Sequence, residues 1–129
     1  MLPENIKKRL IGLDKGKRIQ FILLFGSVAE GRDGPLSDVD VAVYYKGTPK
    51  ERFAFRMKVL GELPEKCDVQ IFQDLPIVVK KEAIKGKVLY SRNFQFIFDE
   101  YMDVIRSYDN FERYINEYLS AVEGGKSGA

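Results

Sequence analysis

The chain has 129 residues, 45% of them apolar and 31% charged, with 21 basic and 19 acidic side chains for a net charge of +2. This suffices for one globular domain with its own core, and so even a charge balance argues against nucleic acid as the main partner. With no histidine and one cysteine, Cys67, imidazole bases, His-based zinc sites, Ser-His-Asp catalysis and an internal disulfide are all excluded. Carboxylates are left to do any metal or proton work, and the single thiol suits a reducing cytoplasm. No apolar stretch reaches the ~18–20 residues of a membrane span, and the polar N-terminus does not read as a signal peptide.

Pro3 to Leu13 is predicted to form a short amphipathic helix with Ile6, Leu10 and Leu13 on one stripe. Residues 20–25 are apolar on both parities, as in a strand covered on both faces. After a Gly-rich segment, 26–37, Val39, Val41 and Val43 alternate with Asp38, Asp40, Ala42 and Tyr44, giving a second strand with one aliphatic face. Thr48-Pro49-Lys50-Glu51 combines an N-cap, an N1 proline and a capping box, starting a helix that runs to about Leu63 and is stopped by Pro64. Cys67 to Phe72 reads as a third strand, with Cys67 buried, Val69 and Ile71 on one face and Asp68 and Gln70 on the other. Asp74 to Lys85 is predicted as a short helix closed by Gly86, its lysines 80, 81 and 85 a wetted face with Lys87. Val88 to Tyr90 is a short fourth strand, Asn93 to about Glu123 one long helix, and residues 124–129 a disordered tail. The expected fold class is α/β (α+β): one domain over residues 1–123, a small mixed sheet flanked by helices, with a long C-terminal helix.

The chemistry concentrates in Gly26 to Asp40, GSVAEGRDGPLSDVD. Positions two apart on a strand share a face, so Asp38 and Asp40 stand roughly 6–7 Å apart on one side. Paired carboxylates repel unless a positive charge sits between them, and a divalent cation that prefers oxygen ligands is the simplest occupant. Residues 46–66 leave room for a helical crossover, so strands two and three are expected to be parallel, with Asp38, Asp40 and Asp68 at one sheet edge. If strand one is antiparallel to strand two, Gly26-Ser27 ends at that same edge. These residues point to metal-assisted chemistry on a phosphate. Gly26-x4-Gly31 also imitates the start of a Walker A loop, but Arg32-Asp33 stands where that loop needs Lys and then Ser/Thr, so the P-loop reading is rejected.

Gly26-Ser27, Asp38-x-Asp40 and Asp68 resemble the Gly-Ser, Asp-x-Asp and third-acid pattern of the DNA polymerase β-like nucleotidyltransferase superfamily. Within it, the Gly-Ser-x-Ala-x-Gly form at 26–31, Ser37-Asp38-Val39-Asp40, the segment Leu75-Pro76 through Val88-Leu89-Tyr90 and the aromatic-rich terminal helix resemble the minimal nucleotidyltransferases, over about residues 5–120. Many relatives carry a basic residue just before the second glycine; here it is Glu30, with Arg32 one place beyond Gly31.

The resemblance implies the nucleotidyltransferase fold and Mg²⁺-dependent (or Mn²⁺-dependent) transfer of a nucleoside monophosphate, AMP if ATP is the donor. It also implies an acceptor tyrosine on a HEPN-type ribonuclease toxin, for which such proteins act as antitoxins in the cytoplasm. In that frame Asp38, Asp40 and Asp68 are the metal ligands and catalytic carboxylates, with Asp68 at a second metal or acting as the base. Gly26, Ser27, Arg32 and Ser37 form the nucleotide-binding set. Gly26 admits the backbone to the phosphates, Ser27 offers a hydroxyl and an N–H, and Arg32 is either a phosphate contact or a solvated loop charge. Ser37 is a turn or hydrogen-bonding residue, and Gly31 and Gly34 are turn glycines. Transfer to a small molecule, as in kanamycin nucleotidyltransferase-like enzymes, usually needs an added domain for which this chain is too short.

On the terminal helix Ile97, Tyr101, Val104, Tyr108, Phe111, Ile115, Tyr118 and Val122 step by four and three. A second stripe, Phe94, Phe98, Met102 and Ile105, occupies only the first half. The first half is therefore expected to pack into the domain and the second to offer an apolar seam to a HEPN partner or a second copy, or else to fold onto its own sheet. That seam keeps a second functional class open, an antitoxin that neutralises its partner by complex formation with little or no catalysis.

Overall fold

The computed structural model describes residues 2–26 and 39–127. In chain order the elements are α1 (Pro3–Leu13), β1 (Ile19–Phe25), β2 (Val39–Tyr45), α2 (Pro49–Glu62), β3 (Cys67–Ile71), a 3-10 turn (Phe72–Asp74), α3 (Ile77–Ala83), β4 (Lys87–Ser91) and α4 (Phe94–Ser127). The strands form one mixed sheet in the order β3-β2-β1-β4. β1 is antiparallel to both neighbours, while β2 and β3 are parallel, joined by the crossover helix α2. The parallel pairing is as the sequence predicts, and β1 meets the antiparallel condition under which its end reaches the same edge.

The two cores follow from the two-residue period of the strands. Ile22, Leu24, Val41, Val43, Val69 and Ile71 face α1 and α2, where they meet Ile6, Leu10, Phe55 and Val59. Phe21, Leu23 and Ala42 face the other way, against Phe72 of the 3-10 turn, Ala83 of α3, and Ile97 and Val104 of α4. β1 feeds both cores, which is why it is apolar on both parities. A register shift between Ile19 and Phe21 turns odd-numbered Ile19 onto the α1/α2 face with even-numbered Ile22 and Leu24.

Local chemistry sets the element ends. Asp14 closes α1 onto β1, its carboxylate accepting from Arg18 N–H (3.0 Å) and Ile19 N–H (2.8 Å). At α2 the capping box is complete: Glu51 N–H donates to Thr48 Oγ1 at 3.2 Å and Thr48 N–H to Glu51 Oε1 at 2.9 Å, with Pro49 in the first turn. Glu51 also pairs with Arg18 and so ties α2 to the start of β1.

Three features depart from the sequence reading. The helix expected from Asp74 begins at Ile77, because Leu75 precedes a proline and is extended (φ −76, ψ 145). α4 continues to Ser127, past the end expected near Glu123; its Gly124 and Gly125 each weaken a helix by about 1 kcal/mol relative to alanine without stopping one already formed. The second stripe of α4 is not core: Phe94 and Phe98 stack on each other at the surface, 76% and 48% exposed. Cys67 is buried in β3 as expected. Of the lysines read as wetted, Lys80 and Lys81 lie over the rings of Phe72 and Tyr108.

Candidate active site at the shared strand edge

The head of β2 is the meeting point. Asp40 pairs in register with Phe25 on its β1 side and with Asp68 on its β3 side. Adjacent strands are about 4.8 Å apart, so the two carboxylates leave neighbouring backbones on the same face. That face is the one of Ala42 and Tyr44, opposite Val41 and Val43. Val39 N–H donates to Lys66 O at 2.7 Å and locks the heads of the two parallel strands together.

Gly26 ends β1 at this edge with φ +80, and a Cβ added there would sit 2.5 Å from Asp40 Oδ2. The absent side chain is therefore what leaves the Asp40 carboxylate room. Asp68 is half-exposed, its side chain 46% accessible, and a hydrogen-bond donor and an ion-pair partner meet it. Gln70 Nε2 reaches both of its oxygens, at 3.2 and 3.1 Å. Arg56 Nη2 lies 3.8 Å from Asp68 Oδ1, while its Nε–H donates to Val69 O at 2.8 Å.

Of the residues expected to form the site, Gly26, Asp40 and Asp68 come together. Ser27, Glu30, Gly31, Arg32, Gly34, Ser37 and Asp38 lie outside the described residues. Arg56 and Gln70 escaped the sequence reading in this role. For Gln70 a signal existed in its spacing of two from Asp68. For Arg56 there was none, since its reach depends on how α2 docks against β3.

Among the described residues no group of three or more His, Cys, Asp or Glu side chains could hold a metal ion. Asp40 and Asp68, with the space at Gly26, nevertheless offer the hard oxygen donors that Mg²⁺ or Mn²⁺ requires. Further along the same face of β2, four residues from Asp40, burial raises the Tyr44 hydroxyl above its ordinary value, with Glu100 adding to the effect. Glu100 is itself raised, first by burial and then by Asp103. Burial also raises the Cys67 thiol, so the residue beside Asp68 is a packing thiol and not a thiolate nucleophile.

A mixed sheet carrying carboxylates on adjacent parallel strands, with a glycine closing the neighbouring strand beside them, is the framework of a nucleotidyltransferase. The profile of the family "Polymerase beta, Nucleotidyltransferase" matches residues 4–95, and the chain belongs to that family. Over 70 residues it is 36% identical to a candidate protein adenylyltransferase of Methanocaldococcus jannaschii, a match spanning 54% of this chain and about half (53%) of that protein's length. Among solved structures it is similar to a chain of a toxin–antitoxin with AMP-PNP (TM-score 0.74, 22% identity, 94% of this chain and 98% of that one). It is also similar to a chain of the tri-AMPylated Shewanella oneidensis HEPN toxin in complex with MNT antitoxin (TM-score 0.66, 18% identity, 94% and 98% covered). These structural likenesses establish the nucleotidyltransferase fold over nearly the whole chain. Among the described residues no helix is long and apolar enough to cross a membrane.

Proposed function

We propose that this nucleotidyltransferase moves AMP from ATP to a tyrosine hydroxyl of a HEPN-type ribonuclease toxin and serves in the cytoplasm as that toxin's antitoxin. The observation that carries the reading is the register of Asp40 with Asp68 beside the open position at Gly26. The adenylyltransferase relative and the toxin–antitoxin complexes among similar folds support the choice of donor and partner.

Asp38, Asp40 and Asp68 would hold Mg²⁺, which when bound neutralises triphosphate charge and lowers the pKa of the acceptor hydroxyl. Gly26 lets the chain approach the phosphates closely, with Ser27, Arg32 and Ser37 as further contacts. Asp68 would join Asp38 and Asp40 at a second metal beside the acceptor hydroxyl or act as that hydroxyl's base. The tyrosine oxygen bonds to the α-phosphorus, the bond from that phosphorus to the bridging oxygen breaks, and pyrophosphate leaves with the electron pair. The protein contributes placement and charge rather than a covalent intermediate.

The distal half of α4 is the surface proposed for the toxin. Phe111, Tyr114, Tyr118, Leu119 and Val122 are 39%, 66%, 59%, 50% and 38% exposed, a contiguous apolar stripe. Glu112, Glu117 and Glu123 lie along the same stretch of helix, with Arg113 on its far side, so a second copy would bring like charges together while a basic-rimmed partner is attracted. This same stripe favours the second reading, neutralisation by binding with catalysis secondary.

The test is intact-mass analysis of a HEPN-fold ribonuclease after incubation with this protein, ATP and Mg²⁺, beside the Asp38→Asn/Asp40→Asn variant. Gains of whole AMP units that vanish in the variant establish the transfer. A stable complex with no mass gain under any NTP establishes the binding module instead.

A further inference from the structure

Helix α2 packs on its own face of the sheet through Phe55 and Val59, yet Arg56 leaves that face. It passes the outer edge of β3, which among the described residues has β2 as its only strand neighbour, and gives Nε–H to Val69 O at 2.8 Å. An edge strand otherwise leaves such carbonyls to solvent. With Nε so fixed, Nη2 lies 3.8 Å from Asp68 Oδ1. Gln70 approaches from within β3 and spans both carboxylate oxygens. Neither contact is needed to hold the sheet, because β3 has its ladder with β2 and α2 has its buried apolar residues. A hydrogen-bond donor and an ion-pair partner from different elements thus converge on one half-exposed carboxylate that strand packing alone leaves free to rotate.

We propose that Arg56 and Gln70 are positioning residues that hold the Asp68 carboxylate at the edge it shares with Asp40, and so govern the transfer step rather than nucleotide affinity. The assignment rests on the function proposed above. Arginine suits the task because its rigid fork points one N–H at a carbonyl and another at a carboxylate, which a single ammonium cannot do. Of the two described carboxylates Asp68 has the less steric help, since Asp40 is flanked by strands on both sides.

Arg56→Lys and Gln70→Met test this, each assayed for AMP transfer to the HEPN-fold protein and for binding of AMP-PNP with Mn²⁺ by calorimetry. The expected result is a transfer rate lower by about tenfold or more, as misplaced catalytic groups give, with AMP-PNP affinity within about twofold of wild type. In an Asp68→Asn background neither substitution should lower the residual rate much further, because the group they position is already gone. Wild-type rates in well-folded variants, weakened AMP-PNP binding that accounts for the loss, or an undiminished effect in the Asp68→Asn background each overturns the proposal.

A wild-type protein that transfers nothing would sink the functional reading and leave the geometry to a second readout. The Gln70 side-chain amide signals in the ¹⁵N NMR spectrum should move in Arg56→Lys and in Asp68→Asn. Signals unchanged in both overturn the positioning role whatever the activity.

Discussion

A Cβ on Gly26 and the Oδ2 atom of Asp40 would be 2.5 Å apart, inside any real contact, and the Gly26 backbone sits at φ +80. An alanine there must both adopt a left-handed conformation, costing roughly 1–2 kcal/mol, and push the carboxylate aside. Because the displaced group is a side chain, the fold should survive and the site should not. Gly26→Ala is expected to melt within several degrees of wild type and to transfer AMP at least ~100-fold more slowly, as positional errors of this size do. Parallel melting curves and transfer rates check it. Full activity in a folded Gly26→Ala protein would mean that Asp40 does not work from the position it occupies here.

Gly86 presents the opposite case, in which the obstacle cannot rotate away. A Cβ at Gly86 would meet Leu24 O at 2.0 Å, Leu24 C at 2.9 Å and Phe25 Cα at 3.0 Å, all of them backbone. The turn between α3 and β4 therefore rides directly on the strand that leads to Gly26. Gly86→Ala is expected to cost about 2–3 kcal/mol by forcing that backbone apart, read as a lower urea midpoint with an unchanged slope. A midpoint within error of wild type would contradict the close approach.

Those two glycines show what the sequence could and could not reveal. The role of Gly26 was legible because it stands at the end of an apolar run and shortly before a paired-aspartate motif. Gly86 looked like a helix terminator, and only the packing of two distant segments explains it. The strands were readable for a related reason: Val39, Val41 and Val43 alternate with Asp40, Ala42 and Tyr44, so pattern and burial coincide. Phe94 and Phe98 failed the same inference, since apolar spacing on a helix says which residues share a face and not whether anything covers it. Arg56 was invisible because its partners, Val69 O and Asp68, are set by the docking of α2, a long-range fact without local trace. The start of α3 was missed for a local reason that was legible, Pro76 forcing Leu75 out of the helical region.

Tyr101 carries an imperfection in the second core. Its hydroxyl is buried with no hydrogen-bond partner among the described residues, and burial raises its pKa to about 12. Removing the hydroxyl deletes an unsatisfied polar group and keeps the ring that packs edge-on to Phe21 at 6.5 Å. Tyr101→Phe should be neutral or stabilising by about 1 kcal/mol. The folded pKa lies above the ordinary tyrosine value of 10.0, so the wild type binds this proton more tightly folded than unfolded. That contribution is complete below pH 10 and is lost as the pH climbs toward 12, and the alkaline fall in melting temperature should be shallower in Tyr101→Phe. An unaltered alkaline limb would show that Tyr101 is not the group responsible.

Glu51 sets the acid side. Its pKa falls from 4.5 to about 2, chiefly through the Thr48 backbone N–H of the capping box and then through Arg18. A depressed folded pKa means stability that is present above the unfolded value and lost as pH drops from 4.5 toward 2. The lost interactions are those at the start of α2, the helix that carries Arg56. Glu51→Gln keeps part of the capping geometry without the charge, so its melting temperature should depend less on pH across that window. Equal acid slopes in the two proteins would assign the acid transition to other carboxylates.

The distal half of α4 separates catalysis from docking, because it lies apart from the carboxylates and contributes little to the core. Tyr118 and Leu119 are 59% and 50% exposed, so replacing them with glutamate should alter stability by no more than about 0.5 kcal/mol. Against a partner groove the same change puts two charges where apolar contact is needed, and adds to the acid already carried by Glu112, Glu117 and Glu123. Tyr118→Glu/Leu119→Glu is expected to bind AMP-PNP as the wild type does while losing at least ~100-fold in affinity for the HEPN-fold protein, in the range of hot-spot losses at interfaces. Arg113→Ala, on the far side of the helix from Tyr118, should retain the complex. Calorimetric titration with each ligand distinguishes the outcomes. Lost partner binding with intact nucleotide binding places the interface on this stripe, whereas an undisturbed complex moves the interface to another surface and leaves the exposed aromatics of α4 without that role.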